Sequence, residues 1–174
     1  FRSASLILPA DAAWQDAGEF KQAPPVPTIS APKKVSKKAL EHCARIIREE
    51  EDVLILLGGK TLREPSLEWV GKLASHCGVG LMTEFAAART QRGAGRVHVP
   101  RMPYVVDVAL AATKRFKHAI LVNTKPPVAF FAYPNKPSLL LSEDCQIHTL
   151  ATVPENGPQA LVDLAKMIGA EDAE

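Results

Sequence analysis

The chain has 174 residues, a length that sets one domain, or one domain with a piece of another. Its apolar fraction of 47% is enough for a proper core. A formal net charge of +2, with basic residues scattered among acids, gives no footing for nucleic acid or an anionic membrane. No apolar run approaches the ~20 residues needed to span a bilayer, and the apolar core near the N-terminus is too short for a signal peptide. Cys43, Cys77 and Cys145 lie far apart without CxxC spacing, which favours buried thiols in a reducing cytoplasm over a disulfide framework.

In chain order, Ser5-Leu6-Ile7-Leu8 reads as a short strand, and the opening without Met suggests a segment of a longer protein. Trp14 is expected to act as an apolar anchor that pins the adjoining linker. Pro24, Pro25, Pro27 and Pro32 forbid continuous helix, so residues 15–35 read as that extended linker. Ser36 is placed to cap a helix whose apolar stripe is Leu40, Cys43, Ala44 and Ile47, with Lys37, Lys38, Glu41 and Arg48 opposite. Glu49-Glu50-Glu51 closes it on the solvent side.

The run Val53-Leu54-Ile55-Leu56-Leu57 leaves no alternation for a wet face, so it reads as a parallel strand covered on both sides. It enters Gly58-Gly59-Lys60-Thr61. Pro65 suits the start of the next helix, with Leu67, Val70, Leu73, Ala74 and Cys77 inward and Gly78 as a left-handed cap. Val79–Thr83 reads as a second strand. From Glu84 to Pro103 the pattern loosens around Arg89, Arg92, Arg96, His98 and Arg101, either an anion-facing loop or a solvated one. Val105, Ala109, Ala112 and Phe116 recur at helical spacing, with Lys114, Arg115 and Lys117 in the last turn. His118–Val122 is a third strand, and Ser138–Leu141 and Gln146–Leu150 read as two more. Pro158–Ile168 gives a last helix, with Ala160, Leu161, Leu164, Ala165 and Ile168 inward, stopped at Gly169. Alternating strands and helices imply an α/β, Rossmann-like three-layer domain with a parallel sheet of about five or six strands.

Few motifs survive inspection. Gly59-Lys60-Thr61 ends like a phosphate loop, but the glycine that pattern needs upstream is Leu54, inside the strand. Lys60 and Thr61 likewise break a dinucleotide fingerprint. What remains is weaker: backbone amides of Gly58, Gly59 and Lys60 near a helix start can face an anion. The histidines show no zinc spacing. His42 and His76 lie near helix stripes and read as partly covered structural residues, while His98, His118 and His148 are isolated in sequence. No nucleophile elbow or acid–base carboxylate pair is present, so the residues themselves mark no catalytic site.

Leu6-Ile7-Leu8-Pro9-Ala10-Asp11 resembles the segment that closes the N-terminal pyrimidine-binding domain of thiamine-diphosphate enzymes of the acetolactate synthase and benzoylformate decarboxylase type. A proline-rich linker and a Rossmann-like central domain follow in that family in the same order, and Val53–Gly59 resembles its first central strand and turn. The stretch from Val122 to Ser138, containing Lys-Pro-Pro-Val-Ala-Phe-Phe-Ala-Tyr-Pro-Asn-Lys-Pro-Ser, is similar to one in bacterial acetolactate synthase large subunits. The likeness implies residues 1–14 as the end of the preceding domain, 15–35 as linker, 36–170 as a DHS-like NAD/FAD-binding central domain and 171–174 as a tail.

It also implies a parent enzyme, a transferase or lyase acting on 2-oxo acids with thiamine diphosphate and magnesium. The parent's partners are its remaining domains and further copies in a dimer or tetramer. The family's catalytic glutamate lies in the N-terminal domain, upstream of Phe1. Its diphosphate-and-magnesium motif, GDG followed by Asn-Asn, is absent from this sequence, so no catalytic or metal residue carries over. In some relatives the central domain binds FAD or ADP; in others it only bridges its neighbours. Gly58, Gly59, Lys60, Asn123, Thr124 and Lys125 sit where a nucleotide would cross the strand ends. The alternatives are a stand-alone NAD- or ADP-binding module, as in NAD-dependent deacetylases, or a purely structural or oligomerisation domain.

Overall fold

The computed structural model describes residues 5–16, 18 and 25–173. The chain divides into two units, Phe1–Ala31 and Pro32–Glu174. Parts of the expected preceding-domain end, linker and tail (1–4, 17, 19–24 and 174) lie outside the described residues.

In the first unit, Ser5–Leu8 is irregular rather than a strand, and one short helix, α1 (Ala10–Trp14), follows Pro9. A strand needs a neighbour for its backbone groups, and no described residue pairs with Ser5–Leu8. Trp14 is 87% exposed and does not serve as the expected anchor.

The second unit holds a parallel sheet of four strands: β1 (Val53–Leu57), β2 (Gly80–Thr83), β3 (His118–Val122) and β4 (Gln146–Ala151), in the order β2-β1-β3-β4. The central pair runs in register from Val53↔His118 to Leu57↔Val122. On one face pack α2 (Lys37–Glu49), α3 (Ser66–Cys77) and α5 (Gly157–Ile168), around Val53, Ile55, Leu57, Ile120, Val122 and Leu150. On the other, α4 (Val106–Thr113) and the segment around Leu140 cover Leu54, Leu56, Ala119 and Leu121. The three-layer Rossmann-like expectation holds with four strands rather than five or six.

The helix ends follow the local chemistry read from sequence. Ser36 accepts the Ala39 amide hydrogen bond at 3.2 Å, and Gly78 and Gly169 close α3 and α5 at φ 69° and 87°. Both glycines adopt a left-handed conformation that a side chain would strain. Two expectations fail. Ser138–Leu141 is no strand; it meets the chain at one antiparallel bridge, Val128↔Leu139, and buries Leu140 and Leu141 beside α4. Prolines at 126, 127, 134 and 137 remove the amides a longer ladder would need. The buried face of α4 is Val106, Ala109 and Thr113, whereas Val105 and Ala112 are exposed. The glycine turn itself takes the form of a 3-10 turn over Gly59–Leu62.

Pro32 onward is tied in early: the Lys33 carbonyl accepts from Asn156 N at 2.8 Å, in a parallel bridge to Glu155. No helix among the described residues is long and apolar enough to cross a membrane. The thiols are free, Cys43 and Cys145 buried and Cys77 half-buried. Burial pushes Cys43 up to about 12 and raises the other two, which keeps these thiols protonated and weakly reactive.

Candidate functional site

From β1 the chain crosses outward to β2, then returns across β1 to β3, so the topological switch point lies between β1 and β3. In open parallel sheets the crevice beyond those two carboxyl ends is where ligands bind. It is bounded here by Gly58 after β1 and Asn123 after β3. The candidate residues do converge at this point, but not as an open cleft. Gly58 is buried, and its amide continues the ladder by donating to Val122 O at 3.0 Å. A Cβ on Gly58 would stand 2.6 Å from the Asn123 carbonyl oxygen and 2.9 Å from the Thr124 Cβ.

Asn123 fills the crevice itself. It takes a left-handed backbone (φ 52°), and its side-chain amide donates to Thr152 O at 2.6 Å and Glu155 O at 3.0 Å. The amide therefore staples the end of β3 to the turn between β4 and α5. The same side chain lies against Gly157, where an added Cβ would meet its Oδ1 at 2.1 Å. Thr61 closes the floor: its hydroxyl is buried and donates to Gly58 O at 2.8 Å. Thr124 is only 6% exposed, and its hydroxyl donates to the Glu84 carboxylate at 3.3 Å. Gly59, Lys60 and Lys125 remain on the exposed rim, and Gly59 (φ 57°) uses its freedom to start the 3-10 turn.

Beside this crevice, the segment after β2 is not a plain solvated loop. Ala87, Val99 and Met102 are buried, and Met102 N donates to Thr83 O at 2.8 Å. Arg96 pairs with Glu64 at 2.8 Å. A shallow hollow of about 470 Å³ is lined by Arg63, Ala88, Arg89, Thr90 and Gln91. The buried Thr90 hydroxyl has no hydrogen-bond partner there.

On the opposite, amino-terminal side of the sheet the fold assembles residues that sequence reading kept apart. His42 Nε2 lies 3.0 Å from His148 Nδ1, and His148 Nε2 lies 3.1 Å from His118 Nδ1. His118 is buried at 7% exposure and its Nε2 faces the Glu50 carboxylate at 3.5 Å. His42 and His76 are themselves exposed, not partly covered as expected. Strand parity places His118 and His148 on the α2 face, but nothing in sequence announces that β3 and β4 are neighbours. Among the described residues no group of three or more His, Cys, Asp or Glu side chains is arranged to hold a metal ion.

No protein-family model matches the chain. Over 162 residues, 93% of its length, it is 34% identical to a Mycobacterium tuberculosis protein whose name carries the words "acetolactate synthase large subunit IlvX". Over that stretch the chain resembles this acetolactate synthase large subunit-type protein. It spans 30% of that relative's length. The matched stretch reaches across the four-stranded sheet, so the interlocked strand ends lie within the part of the chain that is similar to this relative.

Proposed function

We propose that this chain is the central domain of a thiamine-diphosphate- and magnesium-dependent enzyme that carboligates or decarboxylates 2-oxo acids. Its work is architectural, and the chemistry and both cofactors reside in domains outside these residues. The intact protein acts in the cytoplasm as a homodimer or homotetramer. The similarity to the mycobacterial relative supports the enzyme class, and the free thiols support a reducing compartment.

One observation carries the architectural role: protein occupies the switch-point crevice. Asn123 sits against Gly58 and Gly157, so these glycines make room for a side chain and a carbonyl rather than for a nucleotide. Titration calorimetry with FAD, ADP and NAD is expected to show no micromolar binding. Heat from any of the three would overturn the architectural reading. It would favour nucleotide binding along the rim of Gly59, Lys60 and Lys125, with its phosphates toward the hollow at Arg63, Arg89 and Thr90. The enzyme class is tested separately, by reading the gene beyond Glu174. A GDG motif followed by Asn-Asn is expected, and an intact gene lacking it would refute the assignment.

A further inference from the structure

The three histidines form a directional chain that neither the proposed function nor the strand-end site uses. Each ring nitrogen has a defined neighbour. Arg45 Nη2 lies 3.5 Å from His42 Nδ1, and its guanidinium is held by Glu49 at 3.1 Å. A guanidinium can only donate, so His42 Nδ1 must accept and its proton sits on Nε2. That Nε2–H then donates to His148 Nδ1, which places the His148 proton on its own Nε2 and makes His118 Nδ1 the next acceptor. The His118 proton is left on Nε2, facing the Glu50 carboxylate, which can only accept. A donor at one end and an acceptor at the other thus select one tautomer for all three rings.

We propose that this Arg45–His42–His148–His118–Glu50 chain is a pH-sensitive latch that bonds α2 to the edge strand β4 when each ring carries one proton and releases it when a further proton enters. The rings bridge elements far apart in sequence: His42 belongs to α2, His118 begins β3, and His148 lies within β4. A second proton has no undamaging place to go. On His42 Nδ1 it would meet Arg45. On His148 or His118 Nδ1 it would set two N–H groups against each other across about 3 Å. Rewiring the chain to admit it at His118 would turn the His42 Nδ1–H toward the guanidinium.

The charged and titratable groups acting on His148 are His42, His118, Arg45 and Glu50, and Glu49 pairs with Arg45. Burial first, then His42, His118 and Arg45, hold the His148 imidazole below its ordinary value of 6.5, and Glu50 opposes them. A lowered histidine means that the unfolded chain binds the proton more readily. The stabilisation is therefore fully present above pH 6.5 and is lost as pH falls below it, by at most about tenfold in the opening constant per pH unit for one proton.

The test is nitrogen-15 NMR of the histidine rings in the full chain, with amide hydrogen exchange across the same pH range. The expected result at neutral pH is the Nε2–H tautomer on His42, His118 and His148. His148 should titrate below 6.5, and protection of the β4 amides should fall with it. An Nδ1–H tautomer or a tautomer mixture at His148, or titration at or above 6.5, would overturn the latch. A His148→Gln variant that folds should lose the acid-dependent opening of β4; retention of the wild-type slope would also overturn it.

Discussion

Gly58→Ala is expected to destabilise the fold by about 3 kcal/mol, at the upper end of the usual cost of overpacking. The added methyl would stand 2.6 Å from the Asn123 carbonyl oxygen and 2.9 Å from the Thr124 Cβ, and the first of these obstacles is backbone. Moving it would pull Asn123 N from Ala151 O, now 2.8 Å, and the Asn123 amide from Thr152 O and Glu155 O. In a domain of this size the change corresponds to a melting temperature lowered by roughly 10 °C. Gly59→Ala is the informative contrast. Gly59 is exposed, and no heavy atom lies closer than 4.0 Å to the point its methyl would occupy. Only its positive φ of 57° resists, at a cost of about 1 kcal/mol. Thermal melts of the two variants check the ordering. Equal, small losses would mean that the crevice is looser than the interlock requires and would return Gly58 to the ligand reading.

Leu56→Ala is expected to cost about 4 kcal/mol. Leu56 is fully buried within β1, flanked in the sheet by Met82 of β2 and Leu121 of β3, on the face covered by α4. Strands on both sides and a helix above leave little room for the surroundings to collapse into the cavity, which puts the cost toward the high end for such truncations. Urea unfolding should show a lower midpoint with an unchanged slope. Ile147→Ala, on the edge strand and 37% exposed, should lose less than about 1 kcal/mol. A Leu56→Ala loss no larger than that of Ile147→Ala would contradict the two-sided burial of β1.

Much of the fold was legible because its signals are local. The unbroken run of Val53–Leu57 could only be a strand covered on both faces, and all five residues are buried. The stripes of α2 and α5, the Ser36 cap and the glycine stops at 78 and 169 depend on neighbours three or four residues away, and they stand as expected. Errors arose where a short apolar run had to choose its partner. Leu139-Leu140-Leu141 reads as a strand, but prolines and the flank of α4 turn it into a buried loop. The α4 stripe slipped by one position because several apolar residues compete there, and packing against Leu54 and Leu56 selects Val106 over Val105.

The sequence alone therefore determined the α/β alternation, the doubly covered central strand, the helix ends and the likeness to acetolactate synthase-type proteins. Only the tertiary structure decided what stands against the glycine turn and which histidines meet. Strand order brings Asn123 against Gly58 and Gly157, and His148 between His42 and His118, from positions tens of residues apart. Periodicity reports which face a side chain takes along its own element. Which strand lies alongside, and so which side chain arrives opposite, is settled only when the sheet assembles.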